Sequence, residues 1–105
     1  MADKYWFKLH RKIKKSPVFD NPKLLKTWIW CLCEASFKER DQIVGKQIVH
    51  LKRGQVVFGR FAAARELNLN DRTVYDYMKL LEKLEMITIN WNVFQTNIKT
   101  IRPMH

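Results

Sequence analysis

Four side chains between positions 72 and 83 offer the most distinctive chemistry of this chain. Arg72, Tyr75, Lys79 and Lys83 recur at intervals of three and four, with Asp76 among them. On a helix that spacing gathers long cationic donors and a phenol ring on one face. Arginine and lysine can meet phosphates or the acceptor edge of guanine, and the free amides of a helix start suit a phosphate. With Thr73, these residues form a set that would read or grip a nucleic-acid groove. The same face on an ordinary surface helix is merely solvated, so the surroundings must decide between the two.

The surroundings favour the groove. The spacing predicts a helix over 71–84, with Val74, Tyr77, Met78, Leu81 and Leu84 as an apolar stripe at i, i+3, i+4, i+7 and i+10. Asn70 stands where its side chain can cap the first free amides. A short alanine-rich helix is expected over 61–67, with Phe61, Ala64 and Leu67 on one side, and a turn over 68–70 in which Leu69 plugs the angle between the helices. Arg60 and Arg65 would touch a phosphate strand or be solvated. Ile87 to Trp91 alternates as a strand that pairs with 94–101 through a turn at Asn92. Trp91 would stack on a base or anchor that hairpin. Helix, tight turn, helix and strand is the order of a winged helix-turn-helix.

The chain has 105 residues, enough for one domain with a modest core. Apolar residues make up 47% and the formal net charge is +10, with a sequence pI of about 9.9. That imbalance points to a polyanionic partner. No apolar run is long enough to span a bilayer and no signal peptide is visible, so a cytoplasmic location and no membrane partner are expected.

Residues 5–15 read as a basic amphipathic helix, with Trp6, Leu9, His10 and Ile13 on one face and Lys8, Arg11, Lys12 and Lys15 on the other. Packing on the domain, contact with a nucleic-acid backbone and attachment to a membrane surface compete for it. Ser16-Pro17 ends it. Asn21 and Pro22 then open a helix expected over 22–37, capped by Asn21. Leu24, Leu25, Trp28, Ile29, Leu32 and Ala35 form its buried stripe, which Trp30, Cys31, Cys33 and Phe37 widen towards the full circumference. Such a helix needs cover on more than one side, from the core and from a dimer partner. Cys31 and Cys33 are two apart and point in different directions, so they read as buried free thiols. Residues 38–45 read as a charged loop, and 47–58 as a hairpin turning at Lys52-Arg53-Gly54. The fold class expected is α+β, mainly helical, with small hairpins and an extra amino-terminal helical portion.

Several of these pieces resemble the amino-terminal domain of phage replisome-organiser and DnaD-like replication proteins. The residues concerned are Lys8 to Lys12, Ser16 to Phe19, Trp28 to Trp30, the Leu51-Lys52-Arg53-Gly54-Gln55 turn, Thr73-Val74 and Leu81 to Leu84. The resemblance implies a winged-helix domain that binds DNA at a replication origin and self-associates through its amino-terminal elements, in proteins that help to recruit a helicase loader. It covers about residues 8 to 89 and does not extend to the family's carboxy-terminal helical region.

DNA is therefore the expected partner, duplex first and single strands second, with replication proteins and a second copy of the chain behind it. Arg72, Thr73, Tyr75 and Lys79 would enter the groove. Arg60, Lys83 and the wing around Asn92 would hold phosphates, and Asn70 would shape the helix start. A small transcription regulator of the same fold is the nearest alternative. A dimerisation or docking scaffold without DNA binding is the third reading, favoured by Asp71 and Asp76, which repel phosphate. An enzyme is not expected. His10, His50 and His105 are scattered, no acid–base or nucleophile constellation is spaced for catalysis, and no glycine-rich phosphate loop exists. No cofactor or metal is called for.

Overall fold

A computed structural model describes residues 5–90 and 99–103. It is an α+β structure. The helices among the described residues are α1 (Pro22–Glu34), α2 (Arg60–Leu67) and α3 (Asp71–Lys83). The strands are β1 (Arg40–Val44), β2 (Gln47–Leu51), β3 (Val56–Phe58), β4 (Ile87–Asn90) and β5 (Lys99–Pro103). β1 and β2 form a separate antiparallel hairpin, while β3, β5 and β4 make a three-stranded antiparallel sheet with β5 in the middle. No helix among the described residues is long and apolar enough to cross a membrane.

The amino-terminal segment is not the amphipathic helix that its pattern predicts. Residues Arg11–Lys15 and Pro17–Asp20 form two short 3-10 turns. His10 Nδ1 accepts from the Lys12 amide at 3.1 Å, and Ser16 Oγ accepts from the Val18 amide at 3.2 Å. Residues 8–15 hold five Lys and Arg with no carboxylate. Cations so close together repel, lack i,i+4 partners and oppose the dipole of a helix start. Trp6 is 60% exposed, so the expected apolar face does not form; Ile13 packs on the core and Val18 is buried within it.

Helix α1 starts as its sequence predicts. The Leu24 amide donates to Asn21 Oδ1 at 3.2 Å, and Pro22 fills the first turn. The helix stops three residues short of the expected Phe37. Ala35 is extended, the Ser36 amide donates to the Gln55 carbonyl at 2.9 Å, and the Ser36 carbonyl accepts from Gly54 at 2.8 Å. Those cross-chain bonds consume the groups that another helical turn would need. Leu24, Thr27, Trp28, Cys31 and Leu32 are buried. Cys31 is a buried thiol as expected, but Cys33 is exposed.

The first hairpin corrects two further expectations. Residues 40–44 are a strand rather than loop, and β1 is the partner of β2, with Asp41 opposite His50 and Ile43 opposite Ile48. The tight turn lies at Gly45, whose φ of 61° suits glycine. Lys52-Arg53-Gly54 instead leads the chain out of β2 into β3, and β3 pairs with β5, Val56 opposite Ile101. β4 pairs with β5, Ile87 opposite Pro103, so the two segments are antiparallel partners as expected; β5 is Lys99–Pro103 and overlaps the expected 94–101 only at 99–101. The connection between them, including Trp91 and Asn92, lies outside the described residues.

The core sits where the three helices meet β3 and β4. It joins Trp28 and Leu32 to Phe58, Ala63, Leu67, Val74, Met78, Leu81 and Ile87. Polar bonds also tie α1 to α2. Lys26 Nζ donates to the Leu67 carbonyl at 2.7 Å, placing a cation at the negative end of α2. Trp30 Nε1 donates to Glu66 Oε2 at 3.0 Å, and its ring meets Phe58 edge-on at 6.4 Å. A cavity of about 630 Å³ lies beside the carboxy-terminal end of α3, between residues of the 8–13 segment, Trp28 and Leu84.

Candidate nucleic-acid interface

Both ends of the turn between α2 and α3 are closed by specific bonds. Asn68 adopts the left-handed conformation at φ 55°. Its amide donates to the Arg65 carbonyl at 3.4 Å, and the Leu69 amide returns to the Ala64 carbonyl at 3.0 Å. That paired pattern is the Schellman ending, with asparagine in the place that glycine usually takes. Leu69 packs on the core, as expected of a plug. Asn70 then caps α3, accepting from the Arg72 amide at 2.8 Å. The chain thus passes from one helix to the next in three residues.

α3 is amphipathic in the predicted sense. Val74, Met78 and Leu81 are buried, and Tyr77 and Leu84 pack at the edge. Arg72, Asp76, Lys79 and Lys83 are exposed, and Tyr75 is half-buried. Arg72 Nε lies 3.6 Å from Asp76 Oδ1, and Lys79 Nζ lies 5.5 Å from the Tyr75 ring centre. Thr73 is half-buried and shares its side of the helix with Tyr77 and Leu80, at i+4 and i+7. It stands beside the Arg72–Lys79 face rather than in it. Asn70 Oδ1 is engaged in the cap. Asn92 lies outside the described residues.

Arg60 connects the two helices. It is the first residue of α2, and its Nε lies 3.4 Å from Asp71 Oδ2 at the start of α3. Its guanidinium also stands 5.1 Å from the Phe61 ring centre and 5.5 Å from that of Tyr75. The acid partners change the electrostatics expected of this face. Asp71, Asp76 and Glu82 offset Arg72, Lys79 and Lys83, so α3 carries no formal net charge. The excess positive charge is densest at residues 8–15, where all five cations are exposed.

Sequence reasoning missed Phe61. The spacing puts it on one side of α2 with Ala64 and Leu67, yet it is 63% exposed, and the buried set is Ala63, Ala64 and Leu67. With alanine at 62, 63 and 64, so short a helix carries no sequence signal that picks its buried face.

Among the described residues no group of three or more His, Cys, Asp or Glu could hold a metal ion. Comparison of the chain with family models, with curated proteins and with solved structures found no match.

Proposed function

We propose that this chain is a winged-helix DNA-binding domain of a phage or mobile-element replication-initiation system, acting in the cytoplasm. The observation that carries the reading is the helix pair. α2 and α3 are joined by a three-residue turn fixed at both ends, and α3 presents Arg72, Tyr75, Lys79 and Lys83 outward. The order α1, β3, α2, α3, β4, β5, with the strands arranged β3-β5-β4, is compatible with a winged helix whose wing is β4–β5. The resemblance to replisome-organiser and DnaD-like domains supplies the replication role. A transcription regulator would use the same surface on a different target.

In this reading Arg72, Tyr75 and Lys79 enter the major groove, with Thr73 at its edge. Arg60 and Lys83 hold flanking phosphates, and Asn92 belongs to the wing. Because α3 is formally neutral, long-range attraction comes from elsewhere on the chain, chiefly residues 8–15.

The test is fluorescence anisotropy with labelled duplex DNA across a salt series. Affinity is expected to fall log-linearly with salt, with a slope of about −0.9 per phosphate contact. Arg72→Ala/Lys79→Ala is expected to weaken binding by about tenfold or more. Binding that persists unchanged in the double variant would move the interface to residues 8–15. No binding at low salt would favour the scaffold reading, for which the opposed Ile43 and Ile48, 76% and 73% exposed on the first hairpin, speak.

A further inference from the structure

Phe61 is a large apolar side chain, 63% exposed, at the start of α2 on the face proposed to meet DNA. Its neighbours are specific. The Arg60 guanidinium stands between two rings, 5.1 Å from Phe61 and 5.5 Å from Tyr75, and Lys79 lies 5.5 Å from Tyr75 on α3. Cation and aromatic groups therefore alternate from α2 across to α3. Asp71 holds Arg60 in place at 3.4 Å, so the guanidinium is ordered before any ligand arrives.

We propose that Phe61, with Arg60 and Tyr75, is a stacking platform for unpaired DNA bases, so that the domain prefers a junction between duplex and single strand to a blunt duplex. The inference rests on the reading that the α2–α3 face meets DNA, and it names the form of DNA that the face takes. Paired bases bury their faces in the helix stack, and duplex DNA offers a side chain only phosphates and base edges. An exposed phenyl ring has no donor or acceptor for those edges and could touch there only a thymine methyl. It does have a π-face for an unstacked base, a contact that every base can make and that contributes substantially to single-strand binding. Arg60 adds a cation beside the same ring and can meet the adjoining phosphate. The charge balance points the same way. On a formally neutral α3, attraction to phosphate is weak, so affinity at this face depends on short-range contacts such as stacking.

The experiment compares a blunt duplex with the same duplex carrying an oligothymidine tail, by anisotropy at fixed salt. Wild type is measured beside Phe61→Ala, Phe61→Leu and Phe61→Trp. Thermal unfolding is followed in parallel and should not move, because Phe61 is mostly in solvent. Wild type is expected to bind the tailed duplex about tenfold more tightly than the blunt one. Phe61→Ala and Phe61→Leu should lose that advantage with blunt binding within twofold, and Phe61→Trp should keep it. The leucine variant separates stacking from hydrophobic contact. Equal weakening on both DNAs, or a tail advantage that survives Phe61→Ala, overturns the inference. If blunt duplex binds through Arg72 and Lys79 without any tail advantage, the inference fails and the DNA-binding reading stands. If only the tailed DNA binds, and only with an aromatic at 61, the inference stands and groove reading by α3 fails. Binding of neither DNA ends both.

Discussion

Arg60 and Asp71, the first residues of α2 and α3, form an ion pair at 3.4 Å across the turn between the two helices. Each has a second task. Arg60 lies against two aromatic rings, and Asp71 occupies the first turn of α3, where a carboxylate complements the helix dipole. The pair therefore orders a cation on the proposed DNA face and also lowers the positive potential there.

Asp71→Asn separates these effects. Both partners are partly exposed, so the pair contributes modestly to stability; with the dipole term, the loss should be about 0.5–1 kcal/mol in urea unfolding. Removing a carboxylate from a face that meets phosphate should raise DNA affinity severalfold at low salt, and the gain should shrink as salt screens it. A fall in affinity instead would mean that Asp71 matters more for positioning Arg60 than for repelling DNA.

Helices α2 and α3 both end in Schellman bonds without glycine. At the end of α3, Glu85 has φ 60°, its amide donates to the Glu82 carbonyl at 3.0 Å, and the Met86 amide returns to the Leu81 carbonyl at 3.0 Å. A glutamate in left-handed geometry is strained where glycine is not. Glu85→Gly should stabilise the fold by about 1 kcal/mol. Asn68 tolerates the same geometry better, so Asn68→Gly should be nearly neutral, whereas Asn68→Ala should cost about 1 kcal/mol. Urea midpoints at constant slope would measure all three. A destabilising Glu85→Gly would show that this helix end is not strained.

The parts of this architecture legible in the sequence are those fixed by neighbours a few residues away. Asn21 and Asn70 cap their helices as read, and Val74, Met78 and Leu81 face the core, because capping and helical periodicity act within one or two turns. The partners of β2 and β3 were not legible. β2 pairs with β1 because a tight turn at Gly45 lies inside a stretch that reads as charged loop, and β3 finds its partner in β5 far along the chain. Phe61 failed for a different reason. Eight residues of α2 give only two turns of pattern, and three successive alanines leave its phase open. The amino-terminal segment has the right apolar spacing for a helix, but periodicity does not register the repulsion among its cations. Of the candidate site, the α3 cations were legible, while the carboxylates paired with Arg60 and Arg72 were visible only as residue types.

The two cysteines should react very differently. Burial pushes the Cys31 thiol up to about 12, and its Sγ lies 3.8 Å from Met78 Sδ in the core. Cys33 is exposed, with its pKa raised by partial desolvation and then by Glu34. Iodoacetamide on the native protein should add one adduct, at Cys33, slowly at neutral pH and faster as pH rises and the thiolate forms. The second adduct should appear only with unfolding. Two adducts at native-state rates would contradict the burial of Cys31.

His50 makes the β1–β2 hairpin sensitive to pH. Its Nδ1 lies 2.7 Å from Asp41 Oδ1, the cross-strand neighbour, and its Nε2 lies 2.7 Å from Glu39 Oε1. Both ring nitrogens can donate at once only when the imidazole is protonated. The hydrogen bond to Asp41, then that to Glu39, raises the His50 pKa above its ordinary 6.5. A raised value means that the folded state holds the proton more tightly than the unfolded state. The resulting stabilisation is fully present below pH 6.5 and is lost as pH rises through the folded-state pKa. The group is exposed, so the effect is local and weakened by salt. A histidine NMR titration should find the His50 midpoint raised, and adding salt should return it towards the ordinary value. His50→Gln should remove the corresponding loss of stability with rising pH while leaving stability at high pH nearly unchanged. A midpoint at or below the ordinary value would mean that neither carboxylate holds the ring in solution.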